Sequence, residues 1–185
     1  MAVLSLRFQS KLLGFSTAVR ILIPTEWGKE FDYKVYYENK EKLPVLWLLH
    51  GGSDNYADWH DCTTVQILAD QYKIAVIMPD AQNGSYSNMA FGPAWFDYMT
   101  QELPEYLYQR FPFPREREKN FIAGMSMGGF GTLKIALRYP ERFLAACPIA
   151  SAVQLTNQYV HHRTDEREWF GREFEKIFGH YEHPE

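Results

Sequence analysis

Hydrophobic and polar positions alternate at the start of the chain. Leu4, Leu6 and Phe8 fall on one side, Ser5 and Arg7 on the other. Thr17, Val19, Ile21 and Ile23 repeat the alternation against Arg20. A period of two marks a half-buried strand. Two such runs, Ala2 to Gln9 and Ser16 to Pro24, joined by a short link containing Gly14, predict an antiparallel hairpin. The pattern then changes. Val45-Leu-Trp-Leu-Leu49 and Ile74-Ala-Val-Ile-Met78 are continuous apolar runs, as strands covered on both faces require. Asn120 to Ala123 and Phe143 to Ile149 read as further strands. Between them the spacing is helical: Val65, Ile67 and Leu68 within Asp58 to Tyr72, and Trp95, Met99, Leu103 and Leu107 within Ala94 to Phe111. Pro104 predicts a kink or division in the second of these. Thr132 to Arg138 is a helix ending at Tyr139-Pro140. Trp169, Phe170, Phe174, Ile177 and Phe178 predict an amphipathic helix near the end. Thr25 to Lys42 is polar and tyrosine-rich without a period, and reads as a surface connection.

Strands alternating with helices predict an α/β fold: a mostly parallel sheet with helices on both faces and the hairpin at one edge. The 185 residues suit a single domain, 1–185. Hydrophobic residues make up 46% and aromatics 16%, enough for a core and too much for a disordered chain. A net charge of −4 is too mild to point to nucleic acid or an anionic membrane. Cys62 and Cys147 provide no disulfide framework and fit a reducing compartment, so a cytoplasmic location is expected. Arg7 and Lys11 precede any long apolar run, which argues against a signal peptide, and the apolar runs are strand-length, which argues against a membrane span. Asn83-Gly-Ser85 matches a glycosylation sequon, read as accidental without export.

The candidate chemistry centres on Ile122-Ala-Gly-Met-Ser-Met-Gly-Gly-Phe-Gly131, a strand, a tight turn at Ser126 and a helix. Gly124 and Gly128 flank the serine in a G-x-S-x-G nucleophile elbow. So abrupt a turn forces its apex into a sparsely populated backbone region, and side chains two residues away would collide across it. The hydroxyl then stands over a helix N-terminus, where negative charge is favoured. Serine needs an adjacent base, and acyl transfer needs N–H donors aimed at the developing oxyanion. Met127 N–H is one candidate. The second is expected in the loop after the first central strand, where His50-Gly51-Gly52 lies, and is assigned to Gly52 N–H. His50 is expected to shape that loop and not to act as the base.

Leu48-Leu-His-Gly-Gly-Ser-Asp-Asn-Tyr-Ala-Asp-Trp59 resembles the oxyanion loop of the tributyrin esterase branch of the α/β-hydrolases. Met78-Pro-Asp-Ala-Gln-Asn83, Phe96-Asp-Tyr98, Glu102-Leu-Pro104 and Gly124-Met-Ser-Met-Gly-Gly129 are similar to that branch too, and so is the opening hairpin. The resemblance runs from the N-terminus to about Ala152. It implies hydrolysis of small-molecule carboxylic esters with short acyl groups through an acyl-enzyme, with neither metal nor cofactor. Feruloyl esterases and S-formylglutathione hydrolases share the elbow. The latter resemble one another in a Ser-Gly-Leu-Thr-Cys loop where this chain has His50-Gly-Gly-Ser-Asp54, which argues against a glutathione thioester.

In this fold the acid and the histidine of the triad follow the serine on two later strands. Ser151 to Glu185 contains only one short apolar patch, Ala152-Val-Gln-Leu155, and the domain is therefore expected to be C-terminally incomplete. His161, His162, His180 and His183, with Asp165 or Glu182, could complete a triad only by an unusual route. The apolar strand Phe143 to Ile149 suits a covered position, so further chain, a separate C-terminal polypeptide or a homo-oligomer contact is expected against it. The sequence has no H-E-x-x-H, paired C-x-x-C, dinucleotide loop or P-loop, and His60-Asp-Cys62 points its side chains apart. The rival to an esterase is a non-catalytic α/β-hydrolase module that binds a ligand or partner.

Overall fold

The two alternating runs form β1 (Ala2–Gln9) and β2 (Ser16–Ile23), paired antiparallel with Leu4 opposite Ile21 and Leu6 opposite Val19. The structure is a computed structural model that describes residues 1–25, 42–153 and 168–179. The expected surface connection between Thr25 and Lys42 lies almost wholly outside those residues. The apolar runs become β3 (Val45–Leu49), β4 (Ala75–Pro79), β5 (Asn120–Met125) and β6 (Ala145–Ile149). The sheet order is β1-β2-β4-β3-β5-β6. Strands β4, β3, β5 and β6 are parallel, and β2 joins β4 antiparallel.

Successive side chains of the central strands enter opposite layers, as a pleated sheet requires. Trp47, Leu49 and Ile77 belong to one core with Trp95, Tyr98, Leu103 and Leu107. Leu48, Val76 and Met78 belong to the other, with Ala69. The register sets Val45 beside Asn120 and Leu49 beside Gly124. β3 and β5 therefore end together, and the loops that leave them are neighbours.

Helix placement follows the expected spacing, with two local differences. The expected helix from Asp58 to Tyr72 is two helices, α1 (Asp58–Cys62) and α2 (Val65–Gln71). Thr63 between them is extended, and its hydroxyl donates to Trp59 O and accepts from Val65 N–H. A threonine hydroxyl that bonds the backbone locally offers it an alternative to the helix. The predicted break at Pro104 takes an unusual form. α3 (Trp95–Asp97) opens into a π turn over Tyr98–Glu102 before α4 (Leu103–Tyr108). Proline has no N–H for the carbonyl four residues back and crowds it. That carbonyl belongs to Thr100, and Arg142 Nη1 donates to it instead.

Glu102 ties this region to the hairpin. Its carboxylate accepts from Ser10 Oγ, from Lys11 N–H at 2.7 Å and from Leu12 N–H at 3.2 Å. The elbow helix is α5 (Met127–Arg138), and the amphipathic segment is α6 (Glu168–Phe178). β6 starts at Ala145, two residues later than expected, and every one of its residues is exposed. Among the described residues nothing pairs with its outer edge.

Candidate active site

Ser126 stands where β5 turns into α5, with φ 55° and ψ −114°. A left-handed φ at a residue with a side chain costs about 1–3 kcal/mol and persists only where the surroundings over-determine it. Here they do. Ser126 N–H donates to Ile149 O on β6 at 2.9 Å, and Ser126 O accepts from Phe130 N–H at 3.0 Å. A Cβ on Gly124 would lie 2.5 Å from the Gly128 carbonyl, which is the expected collision across the turn. Gly128 answers to a different neighbour: its Cβ would lie 2.6 Å from His50 O and closer still to Leu49 O, at the end of β3. The second glycine of the elbow thus lets α5 press against the glycine loop. Ser126 itself is exposed, and Met127 begins the helix. The first N–H groups of a helix have no partner within it, so they face outward with the positive end of the dipole.

The loop after β3 is held from three sides. His50 is buried, and its Nε2 lies 3.0 Å from Ala81 N–H. A backbone N–H only donates, so Nε2 presents its lone pair and the proton belongs on Nδ1. Nδ1 lies 2.7 Å from Gly51 O, to which it donates. The Asp80 carboxylate, 3.5 Å from Nε2, is thus no proton partner. Tyr86 OH donates to His50 O at 3.0 Å. Burial pushes the Tyr86 phenol well up, which keeps it a donor. Its ring occupies the space where a Cβ on Gly131 would sit, at 2.5 Å.

The N–H groups on either side of Gly52 are taken. Gly51 N–H donates to Asp54 Oδ2 at 3.2 Å and Ser53 N–H to Asn83 Oδ1 at 2.7 Å. Among the described residues, Gly52 N–H has no partner. Gly52 is exposed, and a Cβ there would meet nothing nearer than Asn83 Oδ1 at 4.0 Å. Asp54, Asn83 and Tyr86 are the residues that sequence reasoning missed. Asp54 and Asn83 lie inside the quoted motifs, and Tyr86 lies outside them.

Neither described histidine is free to serve Ser126. His50 is committed as above. His60 on α1 has Nδ1 2.8 Å from both Arg20 Nη1 and Asp61 Oδ1, and Nε2 2.7 Å from Gln66 Oε1. His161, His162, His180, His183, Asp165 and Glu182 lie outside the described residues. The end of α6 docks beside the site: Ala90 N–H donates to Ile177 O at 2.9 Å and Phe91 N–H to Lys176 O at 3.0 Å. Phe178 meets Phe130, one turn after Ser126, edge to face at 6.2 Å.

A six-stranded, mostly parallel sheet with helices on both faces, carrying a strained serine between its fifth strand and the next helix, is that of the α/β-hydrolase serine hydrolases. Residues 25–176 match the Esterase family, described as "Putative esterase", and the chain belongs to that family. An acetyl esterase of Caldicellulosiruptor saccharolyticus is 34% identical over 155 residues, covering 83% of this chain and 57% of the relative. The structure of FphF, a fluorophosphonate-binding serine hydrolase of Staphylococcus aureus, matches with a TM-score of 0.81 at 31% identity, over 97% of this chain and 66% of that one. The S-formylglutathione hydrolase FrmB of the same organism matches with a TM-score of 0.74 at 30% identity, over 94% and 65%. The chain thus spans about 57% of the acetyl esterase and about two thirds of these structures.

Proposed function

We propose that this protein is a serine carboxylesterase that hydrolyses short-acyl esters of small molecules through an acyl-enzyme. The observation that carries the reading is the pairing of a strained, exposed Ser126 with an adjoining glycine loop in which Gly52 N–H is left uncommitted while its neighbours, Gly51 and Ser53, have their N–H groups taken. Ser126 Oγ attacks the ester carbonyl carbon while a base takes its proton. The charge that develops on the carbonyl oxygen is held by the N–H groups of Gly52 and Met127. The C–O bond to the alcohol breaks, and the proton leaves with the alcohol. Water then attacks the acyl-serine by the same route in reverse order of groups, which releases the acid and restores the hydroxyl.

The base and its acid come, in this reading, from polypeptide that lies against β6. Two observations support that placement. Both described histidines have their ring nitrogens committed, and β6 is an apolar strand exposed along its length. Further chain, a separate C-terminal polypeptide or a second copy would each cover that edge. The two cysteines, both free and exposed, support a cytoplasmic setting. Among the described residues no helix is long and apolar enough to cross a membrane.

The acetyl esterase relative supports a short acyl group. The likeness to FrmB supports a thioester as the second reading, against which stands His50-Gly-Gly-Ser-Asp54. Feruloyl and carbohydrate esters are the other substrate classes of this reading, and a ferulic acid esterase shares the fold. A non-catalytic module is the reading from another class, and it has no use for a strained serine. Comparative hydrolysis by the protein expressed from its reading frame tests the choice. The expected order is p-nitrophenyl acetate and butyrate first, with p-nitrophenyl palmitate, methyl ferulate and S-formylglutathione well behind. A preference for S-formylglutathione would overturn the ester reading, and no hydrolysis of any of them would favour the non-catalytic module.

A further inference from the structure

We infer that His50 is the positioning residue that aims the Gly52 N–H, acting as a latch on the Gly51–Gly52 peptide. The inference rests on the assignment of Gly52 as an oxyanion donor. A peptide between two glycines is the easiest in a chain to flip, because neither flanking residue has a Cβ to resist the change in φ and ψ. Flipped, it would turn a carbonyl oxygen toward the place where an oxyanion must form. Something outside the peptide has to hold it.

The structure assigns that task to His50. Gly51 O accepts from Nδ1 of the buried imidazole, so this carbonyl points inward. The peptide bond is trans, and its N–H therefore points the opposite way, on the exposed side of the loop. The latch works in only one tautomer. Ala81 N–H, just past the end of β4, donates to Nε2 and so keeps the proton on Nδ1. The peptide before it is fixed separately, by Tyr86 OH on His50 O. The adjoining N–H groups of Gly51 and Ser53 are tied down by Asp54 and Asn83, which leaves the latched one as the donor.

Two substitutions separate positioning from bulk support. In His50→Asn the amide nitrogen falls near the place of Nδ1 and still donates to Gly51 O. In His50→Gln the amide oxygen reaches the place of Nε2 and still accepts from Ala81, but nothing donates to Gly51 O. For p-nitrophenyl acetate, His50→Gln is expected to lower kcat by about 10²-fold with KM within about twofold, the loss typical of one missing oxyanion donor, while His50→Asn stays within about tenfold of wild type. Equal losses in both, or none in either, would overturn the latch. Long-range ¹H–¹⁵N NMR of wild-type His50 gives a readout that needs neither variant to fold: the proton is expected on Nδ1, and a proton on Nε2 alone would overturn the inference. Ser126→Ala distinguishes the two levels of reading. If it retains activity, the site assignment itself fails; if it is inactive while both His50 variants keep full kcat, only the latch fails.

Discussion

The shared end of β3 and β5 and the outer edge of β6 belong to one parallel sheet and have opposite surroundings. At the first, added atoms have nowhere to go: Cβ atoms on Gly124, Gly128 and Gly131 would all fall within 2.6 Å of backbone or ring atoms. At the second, all of Ala145–Ile149 is exposed. The two regions nevertheless touch, because Ile149 O accepts the Ser126 N–H. The contrast teaches how the site divides. Ser126 and the N–H groups proposed as its oxyanion donors are held by the centre of the sheet, from β3, β5 and the loop after β4. The proposed function assigns the proton-handling half to polypeptide that lies against β6.

The largest expected effect comes from filling the packed end. Gly128→Val would drive a branched side chain into the carbonyls of Leu49 and His50. Overpacking against backbone costs about 1–3 kcal/mol or more. The variant is expected to lose both cooperative melting and activity, and a wild-type melting curve would contradict the account of the elbow. Next is Ser126→Ala, which removes only the hydroxyl. Activity should fall to the level such sites keep without a nucleophile, about 10³–10⁴ over water, while Tm holds, because alanine keeps the Cβ and the same backbone strain. Gly52→Pro follows, expected to lower kcat by about 10²–10³ by deleting one donor, measured in steady state on a folded variant. An unchanged kcat would move the second donor elsewhere.

The open edge makes its own prediction. Residues 1–185 expressed alone should hydrolyse p-nitrophenyl acetate only weakly and associate through β6, since an apolar unpaired strand is a template for pairing. A soluble, cooperatively melting and fully active product would contradict this and return the base to His161, His162, His180 or His183. The smallest effect is expected at Glu102→Ala, far from the chemistry. It leaves Ser10 and the Lys11 and Leu12 N–H groups without their acceptor, and should cost about 1–3 kcal/mol in denaturant unfolding with kcat unchanged.

What the sequence disclosed follows the same division. The elbow was legible because its signal is local: the glycines and Ser126 lie within five residues, and a strand and a helix on either side gave them context. The hairpin was legible from its period of two, and β3 and β4 from continuous apolar runs. Other features depend on partners far along the chain. Pro104 announced a break, but the donor that meets the Thr100 carbonyl is Arg142, 42 residues away. The division at Thr63 was hidden because the apolar residues that suggested the helix, Val65, Ile67 and Leu68, all follow it, and the hydroxyl bonds that end α1 leave no periodic trace. Gly52 was assigned from the place of His50-Gly51-Gly52 after the first central strand; that its N–H is left free while those of Gly51 and Ser53 are taken depends on Asp54 and on Asn83, 30 residues from Ser53. Tyr86 sat in a loop of small polar residues, and its bond to His50 spans 36 positions. The exposure of β6 could not be read from Phe143 to Ile149, whose composition is that of a covered strand.

The most direct measurement is the site of covalent capture. The active protein is treated with a fluorophosphonate, digested, and its peptides mapped by mass. The account predicts one adduct, on Ser126, with loss of esterase activity in proportion to labelling. An adduct on another residue, or activity that survives complete labelling of Ser126, would contradict it.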